Sequence, residues 1–185
     1  MALSVENQRP ARTAPAIVVM GVAGVGKTTV AKALAERLSL PCGEADDFHP
    51  AANIAKMAAG IPLDDCDREP WLRALGAWLG ERVEAGTGGV VSCSALKRGY
   101  RDLLREACPN AFFLHLTGAN ALIEERLAHR SGHFMKSHML DSQLAILEPL
   151  APDENGAVLD VGPDPRTLVE SAAALVPQPL RGDLP

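Results

Sequence analysis

A chain of 185 residues, 47% hydrophobic and 22% charged, is long enough to bury one good core and short for two. Its formal charge of −5 excludes the broad basic surface of a nucleic-acid binder, although Lys97, Arg98, Arg101 and Arg105 form one local basic group suited to a small anion. No apolar stretch reaches the roughly 18 residues needed to cross a bilayer, so no membrane association is expected. Met1–Pro15 lacks the apolar centre of a signal peptide and reads as a loose tail, as does 177–185; residues 16–176 read as one domain. The four cysteines, Cys42, Cys66, Cys93 and Cys108, show neither metal-ligand pairing nor a disulfide pattern. Free thiols in a reducing cytoplasm are expected.

Ile17–Met20 is a β-branched run that reads as a buried central strand. After a glycine-rich loop, Val30, Ala31, Leu34 and Leu38 recur at helical spacing. Gly43–Asp47 is expected to be a strand, since a direct jump between helices there would be unusual. Asn53–Ala59 predicts a short helix ending at Gly60. From Asp67, Trp71, Leu72, Leu75, Trp78, Leu79 and Val83 define one helical face, closed by Gly86. Val90–Cys93 and Ala111–Leu116 are further strands, each followed by a helix: Tyr100, Leu103, Leu104 and Ala107 mark the first, and Leu122, Ile123 and Leu127 the second. Ser131–Ser137 is polar and contains Gly132, and a helix is expected over Asp141–Glu148. Ala157–Val161 is the last strand, and Asp164-Pro165 caps the last helix. Strands alternating with helices predict an α/β fold in three layers, with a parallel sheet covered on both faces.

Gly21-Val22-Ala23-Gly24-Val25-Gly26-Lys27-Thr28, followed by Thr29, matches the phosphate-loop pattern between a strand and an amphipathic helix. The glycines let successive N–H groups turn inward toward phosphate oxygens, and the following helix adds its positive end. Lys27 can reach the outer phosphates of ATP, and the Thr28 hydroxyl can serve Mg²⁺. A nucleotide-driven switch is one alternative. Asp153-Glu-Asn-Gly156 fits its Asp-x-x-Gly segment but follows no strand, and no Asn-Lys-x-Asp guanine reader is present. A mechanical ATPase would end a later strand in a carboxylate, and neither Val90–Cys93 nor Phe112–Leu116 does so. The available acids are Glu44, Asp46 and Asp47, directly after the first helix. That position suits a small-molecule kinase, where an early acid faces the acceptor hydroxyl.

The chain resembles the gluconokinases over about residues 16–176. The likeness rests on an ordered series: Asp46-Asp-Phe-His-Pro50, Asn53-Ile-Ala-Lys-Met57 and Gly60-Ile-Pro-Leu-Asp-Asp-Cys-Asp-Arg-Glu-Pro-Trp71. It continues in Cys93-Ser-Ala-Leu-Lys97, Tyr100-Arg-Asp102, Arg130-Ser-Gly-His-Phe134 and Asp141-Ser-Gln143. One departure is Ala45, where the family commonly has glycine. The resemblance implies phosphorylation of D-gluconate at O6 by ATP with Mg²⁺, a shikimate-kinase-like fold with a five-stranded parallel sheet, a mobile lid near 131–137, and a homodimer. Shikimate or another small hydroxy acid is the alternative acceptor.

Within that resemblance, Asp46 is expected to orient or deprotonate the acceptor hydroxyl, with Asp47 a solvated neighbour. Glu44 would support Mg²⁺ through water, beside Thr28. Arg130 is assigned to the transferring phosphate and Arg126 to the nucleotide. His49, Lys56, Arg68, Lys97 and Arg101 complete the expected gluconate contacts: Arg68, Lys97 and Arg101 as the cations for its carboxylate, His49 with Asp46 for its hydroxyls, and Lys56 either a contact or a solvated face.

Overall fold

The computed structural model describes residues 14–129 and 133–178, the stretch 133–139 by its backbone alone. Among the described residues thirteen elements run in chain order: β1 (Ala16–Met20), α1 (Lys27–Leu38), β2 (Cys42–Glu44), a 3-10 turn (Ala45–Phe48), α2 (Ala51–Ala58), α3 (Asp65–Glu84), β3 (Gly89–Ser92), α4 (Arg98–Ala107), β4 (Phe112–Thr117), α5 (Asn120–Ala128), α6 (His133–Ile146), β5 (Gly156–Asp160) and α7 (Pro165–Leu175). The five strands are all parallel, in the order β2-β3-β1-β4-β5. No helix among the described residues is long and apolar enough to cross a membrane.

The period of two along the central strands divides the interior into two cores. Ile17 and Val19 of β1, Val90 of β3, and Phe112, Leu114 and Leu116 of β4 face the layer of α1, α5, α6 and α7. Ala16, Val18, Met20, Val91 and Phe113 face α3 and α4. Because β1 is buried on both faces, each of its side chains contributes to one core or the other, at about 1.5–3 kcal/mol for each large aliphatic group. On the second face α3 and α4 meet closely. A Cβ at Gly80 would stand 2.5 Å from the Ala107 carbonyl oxygen, so only glycine admits that approach.

Several element boundaries differ from expectation by a residue or more. The strand expected over Gly43–Asp47 stops at Glu44, because the chain tightens into the 3-10 turn that aims Asp46 and Asp47. α3 starts at Asp65 rather than Asp67: the Asp64 carboxylate accepts from the Asp67 N–H at 2.8 Å and Asp67 returns the bond to the Asp64 N–H at 3.1 Å. This reciprocal cap lets the helix begin despite Pro70 within it. α6 covers His133–Ile146, so much of the expected polar lid is helical backbone, while Arg130, Ser131 and Gly132 lie outside the described residues. The last strand is displaced by one residue, to Gly156–Asp160.

Candidate functional site

The chain reverses its direction of travel across the sheet at β1, whose neighbours are β3 and β4. The loop leaving β1 therefore opens into the crevice at the carboxyl edge, where ligands of such sheets bind. Gly21, Gly24 and Gly26 hold φ of 139°, 80° and 105°, conformations that L side chains rarely adopt. Val22 and Val25 turn into the core and fix the loop from below. Lys27 Nζ donates to the Val22 carbonyl at 2.9 Å, which folds its stem back across the loop.

Two clefts meet at this loop. One, of about 390 Å³, is bounded by Ala23, Lys27 and Thr28 on one side and by Glu44, Asp46 and Trp71 on the other, with Gln143 at its rim. The second, of about 470 Å³, is bounded by Gly26, Thr29, Arg126, Pro163, Pro165 and Leu168. Arg126 braces the second cleft by donating to the carbonyls of Val25 at 3.3 Å and Val161 at 3.0 Å. The largely apolar second cleft can take a flat base, and the more polar first one can hold a transferring phosphate with its acceptor.

Thr28 and Glu44, twin candidates for Mg²⁺, stand together. The Thr28 hydroxyl donates to Glu44 Oε2 at 3.3 Å and the Ser92 hydroxyl to the same oxygen at 2.7 Å. Glu44 Oε1 is sealed from solvent and is met by the Lys32 ammonium at 3.0 Å. Burial opposes ionisation of Glu44, but the hydrogen bonds from Ser92, Lys32 and Thr28 and the charge of Lys32 outweigh it and hold its pKa below the usual value. An ionised carboxylate beside a hydroxyl on the phosphate loop fits a hydrated Mg²⁺.

The 3-10 turn separates the two adjacent aspartates. Asp46 borders the first cleft and its charge reaches His49 and Cys93. Asp47 acts instead on Lys32. His49 stacks on Trp71 with ring centroids 4.3 Å apart and planes at 16°, while Trp71 Nε1 donates to the Ala45 carbonyl at 2.6 Å. Asn53, itself buried, lies 3.4 Å from His49 Nδ1 and donates to the Asp67 carbonyl at 2.8 Å. Burial lowers the His49 pKa, and nearby Arg68 lowers it further against the opposing pull of Asp46. The imidazole is thus neutral at physiological pH, able to donate or accept with a hydroxyl. Burial pushes the Cys93 thiol up to about 11, which leaves it a neutral wall of the cleft.

The four expected gluconate cations have different surroundings. Lys56 is closed by Asp67 at 2.6 and 2.7 Å, and Lys97 by Asp65 at 3.0 and 2.8 Å. Arg68 donates to the Leu63 carbonyl at 3.1 Å, lies over the Tyr100 ring, and of the four alone forms no ion pair among the described residues. Arg101 is misplaced by the sequence reading. Its side chain is 0% exposed, gripped by Glu154 through two bonds of 2.7 Å, and its remaining donors hold the carbonyls of Ala95, Leu96, Glu148 and Pro149. No donor is left for a substrate. Arg101 instead ties the β3–α4 loop to the segment after α6.

Glu154, missed at the sequence level, is the anion of that buried pair. The Arg101 hydrogen bond dominates burial and brings its carboxyl down to about 2. The folded pKa lies below the ordinary value, so this stabilisation is full above about pH 4.5 and is lost as pH falls toward 2. Glu154→Gln should cost about 3–5 kcal/mol at pH 7, since it leaves a buried guanidinium without its counter-charge. Urea unfolding followed at several pH values should show the gap between wild type and variant narrowing from pH 7 toward pH 3.

A strand–glycine loop–helix unit at the turning point of a parallel sheet, with an acid and a hydroxyl beside the loop, defines a phosphate-loop kinase. The chain is 50% identical over 138 residues to the gluconokinase of Gluconobacter oxydans, covering 75% of this chain and 78% of that one. Two solved structures superpose closely: a sugar kinase from a Janibacter species (TM-score 0.79, 51% identity, 88% of this chain and 94% of that one) and a gluconokinase from Sinorhizobium meliloti (TM-score 0.76, 46% identity, 88% and 91%). No family model matches. The chain belongs to the gluconokinase family.

Proposed function

We propose that the protein transfers the γ-phosphoryl group of ATP to O6 of D-gluconate, in the cytoplasm, giving 6-phospho-D-gluconate and ADP. The observation that carries this is the paired arrangement of clefts at one phosphate loop, with Asp46 on the acceptor side and the apolar cleft beyond Arg126. The base and ribose would lie in the second cleft, with the phosphate chain along the N–H groups of Gly21–Gly26 and Lys27. Mg²⁺ would be held by Thr28 directly and by Glu44 through water, and would neutralise charge on the outer phosphates.

In the first cleft Asp46 accepts the hydrogen bond of the terminal hydroxyl and takes its proton as the hydroxyl oxygen bonds to phosphorus and the bond to ADP breaks. Lys27 offsets the charge that builds on the transferring oxygens. His49, held flat against Trp71, reads hydroxyls along the sugar chain. Arg68 takes the carboxylate, because a guanidinium with no carboxylate partner among the described residues can meet one with two parallel bonds. Lys56 and Lys97, already paired with aspartates, set the rim, and Arg130 belongs to the same reading as a phosphate ligand.

Arg68→Lys should raise the KM for gluconate about tenfold, with less effect on the KM for ATP, since lysine keeps the charge and loses the fork. Steady-state kinetics with each substrate varied checks this; equal rises in both KM values would remove Arg68 from carboxylate recognition. The function itself is tested by coupled ADP release across gluconate, glucose and shikimate. Gluconate should be favoured over glucose by at least about 100-fold in kcat/KM, because neutral glucose leaves the Arg68 site without its anion. Shikimate outperforming gluconate would replace this reading with the other hydroxy-acid kinase.

A further inference from the structure

The segment Asp141-Ser-Gln143 carries part of the family likeness, yet none of the roles above uses it. In the structure the Ala23 N–H donates to Gln143 Oε1 at 2.6 Å, across 120 positions of sequence. This contact is set by a helix anchored on both sides. Leu140 is buried in the α1-side core, Leu144 and Leu147 pack against that core, and the Glu148 N–H donates to the Leu96 carbonyl at 2.8 Å. Gln143 is consequently delivered to the phosphate loop by the end of α6. Ala23 borders the first cleft, with Lys27 and Asp46, and is absent from the walls of the second. Its N–H therefore serves the end of the phosphate chain that is transferred.

We infer that Gln143 is a ligand of the γ-phosphate and lets the enzyme tell ATP from ADP. A backbone N–H only donates, so the carboxamide group facing Ala23 is its oxygen, and the Nε2 donors point elsewhere. An arriving phosphate oxygen takes the Ala23 N–H for itself and repels the carboxamide oxygen. Half a turn about the terminal side-chain bond, which is soft in glutamine, exchanges that oxygen for the NH₂ group. The same side chain then donates to the anion that displaced it. Gln143 is an acceptor to the empty loop and a donor to the filled one, a pair of roles that glutamate cannot fill.

This rests on the kinase reading of the two clefts but not on the identity of the acceptor. The experiment is calorimetric titration of the full chain with Mg·ADP and with Mg·AMP-PNP, no acceptor present, for wild type, Gln143→Glu and Gln143→Leu. Affinity for AMP-PNP should fall about 10- to 100-fold in both variants, more in Gln143→Glu, whose charge repels the phosphate. Affinity for ADP should stay within about threefold, because one neutral hydrogen bond to the loop is worth little net. Equal losses for both nucleotides would reduce Gln143 to a support of the loop and overturn the inference. Unchanged or tighter AMP-PNP binding in Gln143→Leu would make the carboxamide a mere occupant of the empty loop, which also overturns it. Should Gln143→Glu fail to fold, Gln143→Leu, uncharged and compatible with the helix, decides alone. Failure of gluconate as an acceptor would leave these titrations untouched.

Discussion

Lys27→Ala is expected to lower kcat by about 10³-fold or more while leaving the melting temperature close to that of wild type. The side chain belongs to neither core, and its ammonium lies on the phosphate loop beside the first cleft. Removing it takes a charge from the place where negative charge concentrates as the phosphoryl group moves. ATP binding should weaken by a smaller factor, since the loop amides and the helix terminus remain. Single-turnover kinetics beside nucleotide titration separates the two effects. A folded Lys27→Ala enzyme with near-normal turnover would remove the loop from the mechanism.

Asp46→Asn should reduce kcat by about 10²- to 10⁴-fold with little change in ATP affinity, because the amide keeps the size of the carboxylate and loses its proton affinity. Asp47→Asn should stay within a few-fold. The two residues are adjacent and both exposed, so the contrast rests on direction: the 3-10 turn sends Asp46 toward the cleft and Asp47 toward Lys32. Rapid-quench measurement of the chemical step for both variants checks it. The reverse ranking would mean that the turn presents the other acid to the acceptor.

What could be read from the chain follows from how local each signal is. The phosphate loop is legible because one contiguous stretch specifies its backbone conformations, its lysine and its helix start. The central strand β1 is legible because burial on both faces leaves an unbroken apolar run, Ile17–Met20. The edge strand β2 is short and carries only Cys42, Gly43 and Glu44, so nothing apolar marks where it gives way to the turn. Arg101 was misread because its fate depends on Glu154, 53 positions away. A lone arginine beside Lys97 and Arg98 looks like a basic patch until the fold buries it. Gln143 was visible only as part of a motif, and Trp71 only as the end of a motif and one position on a helical face. Its role as a platform for His49 depends on the α3 helix passing the 3-10 turn.

Proton-coupled ³¹P NMR of the product formed from ATP and D-gluconate tests most directly where the phosphate goes. Transfer to the terminal hydroxyl places phosphorus on a CH₂–O group, and the account predicts a new phosphate-ester signal split into a triplet by those two protons. A doublet would place the phosphate on a secondary hydroxyl and contradict the geometry assigned to Asp46 and Arg68. Inorganic phosphate alone, with no ester, would contradict the kinase itself.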